Sequence, residues 1–98
     1  MSTNSSGPEI IVSHNVAEKR FETQINGELA VAEYQLEGDR MVFTHTFVPP
    51  SLRGRGLAEK LVRPALDLAR DERRRVVPAC SFVAAYIQRH SEYQSLVD

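Results

Sequence analysis

Between residues 19 and 48, apolar and polar side chains alternate, and two turn signals interrupt the alternation. Phe21, Thr23 and Ile25 fall on one face of the first run, with Arg20, Glu22 and Gln24 on the other. A period of two means a strand with one buried face. Asn26-Gly27 follows, a dipeptide that tolerates the positive φ angles of a tight hairpin turn. Residues 28–37 alternate again, with Ala30, Ala32, Tyr34 and Leu36 together, and Gly38-Asp39 marks a second turn. Arg40 to Val48 reads as a third strand, rich in Val, Phe and Thr. Two-residue turns would set Phe21, Ala32 and His45 abreast and pair Tyr34 with Phe43. Residues 10–13 offer a short leading strand. The first half is therefore expected to be an antiparallel meander.

Pro49-Pro50 ends the third strand, since neither residue can donate a ladder bond. From Leu57 to Arg74 the period changes. Leu57, Leu61, Ala65 and Leu68 recur at helical spacing, flanked by Ala58, Val62, Leu66 and Ala69. Pro64 lies inside this helix and is expected to kink it, at about 3 kcal/mol if nothing compensates. Asp71 to Arg75 is a polar exit whose arginines suit a helix C-terminus. Val76 to Cys80 reads as a further strand, parallel to the third through a right-handed crossover. Ser81 is a suitable N-cap for a last helix from Phe82 to His90, with Val83, Ala84, Tyr86 and Ile87 on its apolar side. Ser91 to Asp98 can add a final helical turn carrying Tyr93 and Leu96. The fold class is mixed α+β: an antiparallel meander, a helix, a parallel strand and a C-terminal helix.

The chain has 98 residues, enough for one domain with a modest core. That domain is placed at residues 10–98, with 1–9 as a disordered lead-in. A formal net charge of −1 supplies no global basic field, so neither nucleic acid nor a membrane surface is an expected partner. The single cysteine leaves no internal disulfide and fits a reducing, cytoplasmic compartment. No apolar run approaches the ~20 residues of a membrane span. A monomer or weak dimer is expected.

The chemistry concentrates at Arg53-Gly54-Arg55-Gly56-Leu57-Ala58. Two glycines let the backbone approach a ligand, and the following helix start presents free N–H groups and positive potential. With two arginines and no carboxylate before Glu59, this is a pocket for phosphate or pyrophosphate. The plainer alternative is a surface loop with solvated arginines. An arginine–glycine nucleic-acid tract would need repetition, nearby aromatics and a basic surface, all lacking here. Cys80 lies where helix N-termini acidify thiols, although a lone cysteine also serves as a small buried hydrophobe. His45, between Phe43 and Phe47, is either a core residue or a general base. His14 and His90 carry no partner signal and are expected on the surface. No Cys/His cluster has metal-ligand spacing, and no Gly-x-Ser-x-Gly elbow or Walker loop occurs.

The stretch His45-Thr46-Phe47-Val48-Pro49, then Arg53 to Ala58, then Cys80 before a helix bearing Tyr86, resembles the minimal GNAT-like N-acetyltransferase family over residues 10–95. The resemblance implies acetyl-CoA or coenzyme A as cofactor and an amine, on a protein or a small molecule, as acceptor. It implies that the backbone of Thr46, Phe47 and Val48 lines the acetyl and pantetheine arm. The amides of Arg53, Gly54, Arg55, Gly56, Leu57 and Ala58 would cradle the pyrophosphate. It further implies His45 and Cys80 as an active-site pair, and Tyr86 as the residue that protonates the departing thiolate. Pro50 and Pro64 depart from the usual pattern. A coenzyme A-binding protein with little catalysis, and a plain interaction domain using the Arg-Gly loop, are the alternative readings.

Overall fold

The computed structural model describes residues 10–97, so the proposed lead-in at 1–9 lies outside the described residues. Five strands form one sheet in sequence order: β1 (Ser13–Asn15), β2 (Arg20–Ile25), β3 (Glu28–Glu37), β4 (Arg40–Phe47) and β5 (Arg75–Pro78). The first four are antiparallel, and β5 runs parallel to β4. Helix α1 spans Leu57–Asp71 and α2 spans Ser81–Arg89, with 3-10 turns at Pro50–Leu52 and Ser91–Leu96.

The hairpin forms as the sequence predicts. Asn26 and Gly27 both take positive φ, 53° and 79°, the requirement of a tight type I′ turn. Ile25 then faces Glu28 and Phe21 faces Ala32. The leading strand lies later than residues 10–13, at Ser13–Asn15. Its place is set by His14, which stacks on Phe21 with ring centroids 4.2 Å apart and shares a 2.6 Å hydrogen bond with the Tyr34 hydroxyl. His14 is exposed but not without partners. His90, too, has one: its ring stacks on Tyr86 at 3.9 Å.

Helix α1 runs unbroken through Pro64. The missing proline N–H leaves the Lys60 carbonyl without its helical donor, but no break results. The helix stops at Asp71, three residues short of Arg74, because Arg73 turns into the left-handed region at φ 58°. Arg74 then donates to the Gly38 carbonyl and the Arg75 amide to the Asp39 carbonyl at 2.9 Å, which ties the crossover to the β3–β4 turn. Strand β5 is short and ends at Pro78, so Cys80 is not a strand residue. It caps α2, and Ser81 is the first helical residue.

The core lies on one face of the sheet. Leu57, Leu61, Val62, Ala65, Leu66 and Ala69 of α1 pack there with Phe21, Ala32, Tyr34, Met41 and Phe43. Helix α2 adds Val83, Tyr86 and Ile87 to the same cluster. The two helical segments are joined by Tyr93, fully buried, whose hydroxyl donates to Asp67 at 2.7 Å and accepts from Arg63 at 3.1 Å. Among the described residues, no helix covers the opposite face.

Burial, and then the hydrogen bond to Asp67, push the Tyr93 phenol up to about 12 from an ordinary 10.0. A group held protonated more firmly in the folded chain stabilises the fold below its unfolded pKa, and that stability is lost as pH rises through the folded value. Urea midpoints are therefore expected to fall as pH rises from 10 towards 12, and to fall less steeply in Tyr93→Phe. Equal alkaline slopes in the two proteins would contradict this role for Tyr93.

Candidate functional site

Strand β4 is irregular on both sides near the same point, shifting register against β3 and losing β5. On one side, Tyr34 faces Phe43 but Glu33 faces His45, so Thr44 is an extra residue, a β-bulge. Its hydroxyl lies 3.3 Å from the Glu33 carbonyl and donates to it. On the other side, pairing with β5 ends at Phe43 opposite Pro78, and the last tie is Cys80 N–H to the Phe43 carbonyl at 2.9 Å. Beyond it, β4 and the start of α2 diverge and leave a cleft of about 460 Å³.

The bulge corrects the simple register. Ala32 faces Thr46, not His45. Thr46 thus shares the helix-covered face with Ala32, while His45 is exposed and stacks on Phe47 at 6.3 Å. The side chain that touches Cys80 is Thr46, with Sγ and Oγ1 3.5 Å apart. The His45 and Cys80 side chains are not in contact.

The cleft wall on one side is the end of β4, with Thr46, Phe47 and Val48. The floor beside it is the turn into α1. The 3-10 turn Pro50–Leu52 buries Leu52, and the Arg53 Nε donates to the Val48 carbonyl at 2.9 Å, which fixes the loop to the strand. Gly54 has φ 85° and Gly56 φ 72°, and a Cβ added at either would meet nothing within 4 Å. Gly56 is the N-cap of α1 and supplies no side-chain cap, so the first-turn amides are left to a ligand or water. Glu59 is the one acidic residue of that turn, and Arg89 lies 4.0 Å from its carboxylate. Arg55 is exposed on the same turn. An open, positively biased cradle of this kind fits the oxygens of a pyrophosphate.

Cys80 is half-buried and is not itself a lining residue of the cleft; it touches Thr46, which is. Burial pushes its thiol up, but hydrogen bonding from the Thr46 hydroxyl and from the N–H groups of Val83, Phe82 and Thr46 outweighs this and leaves it below the ordinary thiol value. The Phe82 and Val83 amides belong to the first turn of α2, where no side-chain cap takes them up. Tyr86 does not line the cleft. It is buried, its hydroxyl is pushed up by burial and pulled down by Arg63, and its ring stacks on Phe82 at 6.3 Å. Phe82 does line the cleft, as do Leu52 and Glu59. The sequence reading left Phe82 off the apolar side of α2. Its spacing of four from Tyr86 was the available signal, because such pairs meet on one helix face.

Residues 20–96 match the family described as GCN5-related N-acetyl-transferase. Protein NATD1 of Mus musculus is 33% identical over 87 residues, spanning 86% of this chain and 79% of that protein. Protein NATD1 of Homo sapiens has the same identity over 87 residues, with 77% of its length covered. The NMR solution structure of a Staphylococcus aureus protein described as GCN5-like superposes with a TM-score of 0.69 at 25% identity, over 92% of this chain and 87% of that one.

The thiol's state should depend on Thr46. Thr46→Val keeps the shape and removes the hydroxyl, so it is expected to move the pH midpoint of Cys80 alkylation upward. An unchanged alkylation curve would show that the contact does not tune the sulfur.

Proposed function

We propose that this chain, which belongs to the GCN5-related N-acetyltransferase family, binds acetyl-CoA in the β4–α1 cleft and transfers the acetyl group to an amine. The observation that carries this is the coincidence of two features in one cavity. The uncapped glycine turn at Gly54–Gly56 lies on the same cleft as the stretch of β4 that has lost its β5 partner.

The phosphates would lie on the amides of Arg53 to Ala58, and the extended arm along Thr46 to Val48. A strand of this kind offers main-chain groups to an extended ligand as it would to another strand. The Thr46 N–H donates to the Cys80 sulfur, and Thr46 lines the cleft. It is placed to stabilise the negative charge that develops on the thioester oxygen when a neutral amine attacks the carbonyl carbon. The C–S bond then breaks, the thiolate departs, and the amine nitrogen loses a proton.

Cys80, with its lowered pKa and Thr46 contact, is our candidate for that proton transfer or for transient acyl acceptance. His45 is on the acceptor side of the proposal: exposed beside Phe47, it can receive a proton from an amine approaching over the open sheet face. Tyr86 reaches the reaction, in this reading, only through the Phe82 ring it supports. A second reading, coenzyme A binding with little catalysis, is favoured by the separation of His45 from Cys80. Sustained transfer to any amine decides between the two.

Gly56→Val should weaken acetyl-CoA binding at least ~10-fold, since its side chain enters the cleft where phosphate oxygens would sit. The positive φ adds a stability cost of about 1–2 kcal/mol. Calorimetric titration of a variant shown to be folded checks this. Wild-type affinity in the folded variant would remove the glycine turn from the site.

Coenzyme binding is also expected to weaken as ionic strength rises, because Arg53, Arg55 and the α1 dipole act on the phosphates largely through solvent. Affinity independent of salt would contradict that picture.

A further inference from the structure

We propose that Phe82 closes the acyl end of this cleft and restricts the transferred group to a short acyl chain. The proposal rests on the acyltransferase reading above and names a determinant of its substrate class. The lining comes from the end of β4, from the glycine turn with the first turn of α1, and from a single α2 side chain, Phe82. Thr46 touches the Cys80 sulfur, and Phe82 stands two residues further along the chain, on the first turn of α2. With its phosphates on the glycine turn and its carbonyl at Thr46, a thioester would meet Phe82 as the α2 residue lining the same cleft.

That ring is held in place. It stacks on Tyr86 with centroids 6.3 Å apart and planes 29° apart. Tyr86 is only 1% exposed and is itself stacked on His90 at 3.9 Å. The His90 Nδ1 shares a 2.7 Å hydrogen bond with the Tyr86 carbonyl, which fixes the second ring row to the helix. The Tyr86 ring blocks Phe82 from retreating into the α1–α2 junction. Added methylenes would meet a wall.

The test compares wild type, Phe82→Leu and Phe82→Ala by calorimetric titration with coenzyme A, acetyl-CoA, butyryl-CoA and hexanoyl-CoA. The quantity read is each thioester's affinity relative to coenzyme A in the same protein, which cancels any general loss of binding. Wild type is expected to bind hexanoyl-CoA at least ~10-fold more weakly than acetyl-CoA, the scale of a poor fit in an apolar pocket. Phe82→Ala should bring the two within a few-fold, with Phe82→Leu between. If Phe82→Ala fails to fold, the leucine variant carries the comparison. Equal binding of acetyl and hexanoyl thioesters by wild type overturns the role of Phe82, as does a ratio that neither variant shifts. Binding of none of the four by wild type overturns the acyltransferase reading itself, and this proposal with it.

Discussion

Thr44 has no partner opposite it in β3, and beyond Phe43 the strand has no partner in β5. A strand in the interior of a sheet normally has both rows of main-chain groups bonded, and unbonded polar groups are costly unless water or a ligand takes them up. Here no strand pairs with the second row past Phe43, beside a helix N-terminus whose cap is a glycine with no side chain. The end of β4 and this helix start line one cleft. The site is thus largely a property of the backbone, and side chains adjust it.

The bulge has a second consequence. Regular alternation would carry the parity of Phe43 straight to His45. The extra residue transfers that parity to Thr46, so the position facing the helices becomes a hydroxyl and the imidazole moves to the bare face. The Cys80 sulfur therefore meets Thr46, with the N–H groups of α2 nearby. On the far side of the cleft, α2 is held by a junction of rings and charges. Tyr93 bridges Arg63 and Asp67, Arg63 lies 5.7 Å from the Tyr93 ring centre, and Tyr86 and His90 stack. This junction fixes Phe82, which has no polar anchor of its own.

The strands, the type I′ hairpin, the parallel crossover and the apolar stripe of α1 were legible from periodicity and from Asn26-Gly27. They depend on local pattern, and local pattern is what a single sequence displays. The glycine turn was legible for the same reason, since Gly54 and Gly56 occupy positions where other residues would be strained. The bulge was not. Nothing in Phe43-Thr44-His45-Thr46 marks which residue drops out of register, because a polar or β-branched residue fits either face. The partners of His14 were hidden too, because Phe21 and Tyr34 reach it only once β2 and β3 are paired beside β1. The early end of α1 is a related case, as Arg73 adopts a left-handed conformation that its side chain does not advertise.

The central claim is that the open row of β4 and the glycine turn form one binding surface for a coenzyme A thioester. Titration of the ¹⁵N-labelled protein with acetyl-CoA, followed amide by amide, tests it most directly. The account predicts that the largest shifts fall on Thr46 to Val48 and Arg53 to Ala58, with smaller ones at Cys80 and Phe82, and that β1 and β2 stay still. Saturable shifts concentrated away from these two segments, or no saturable shifts, would contradict it.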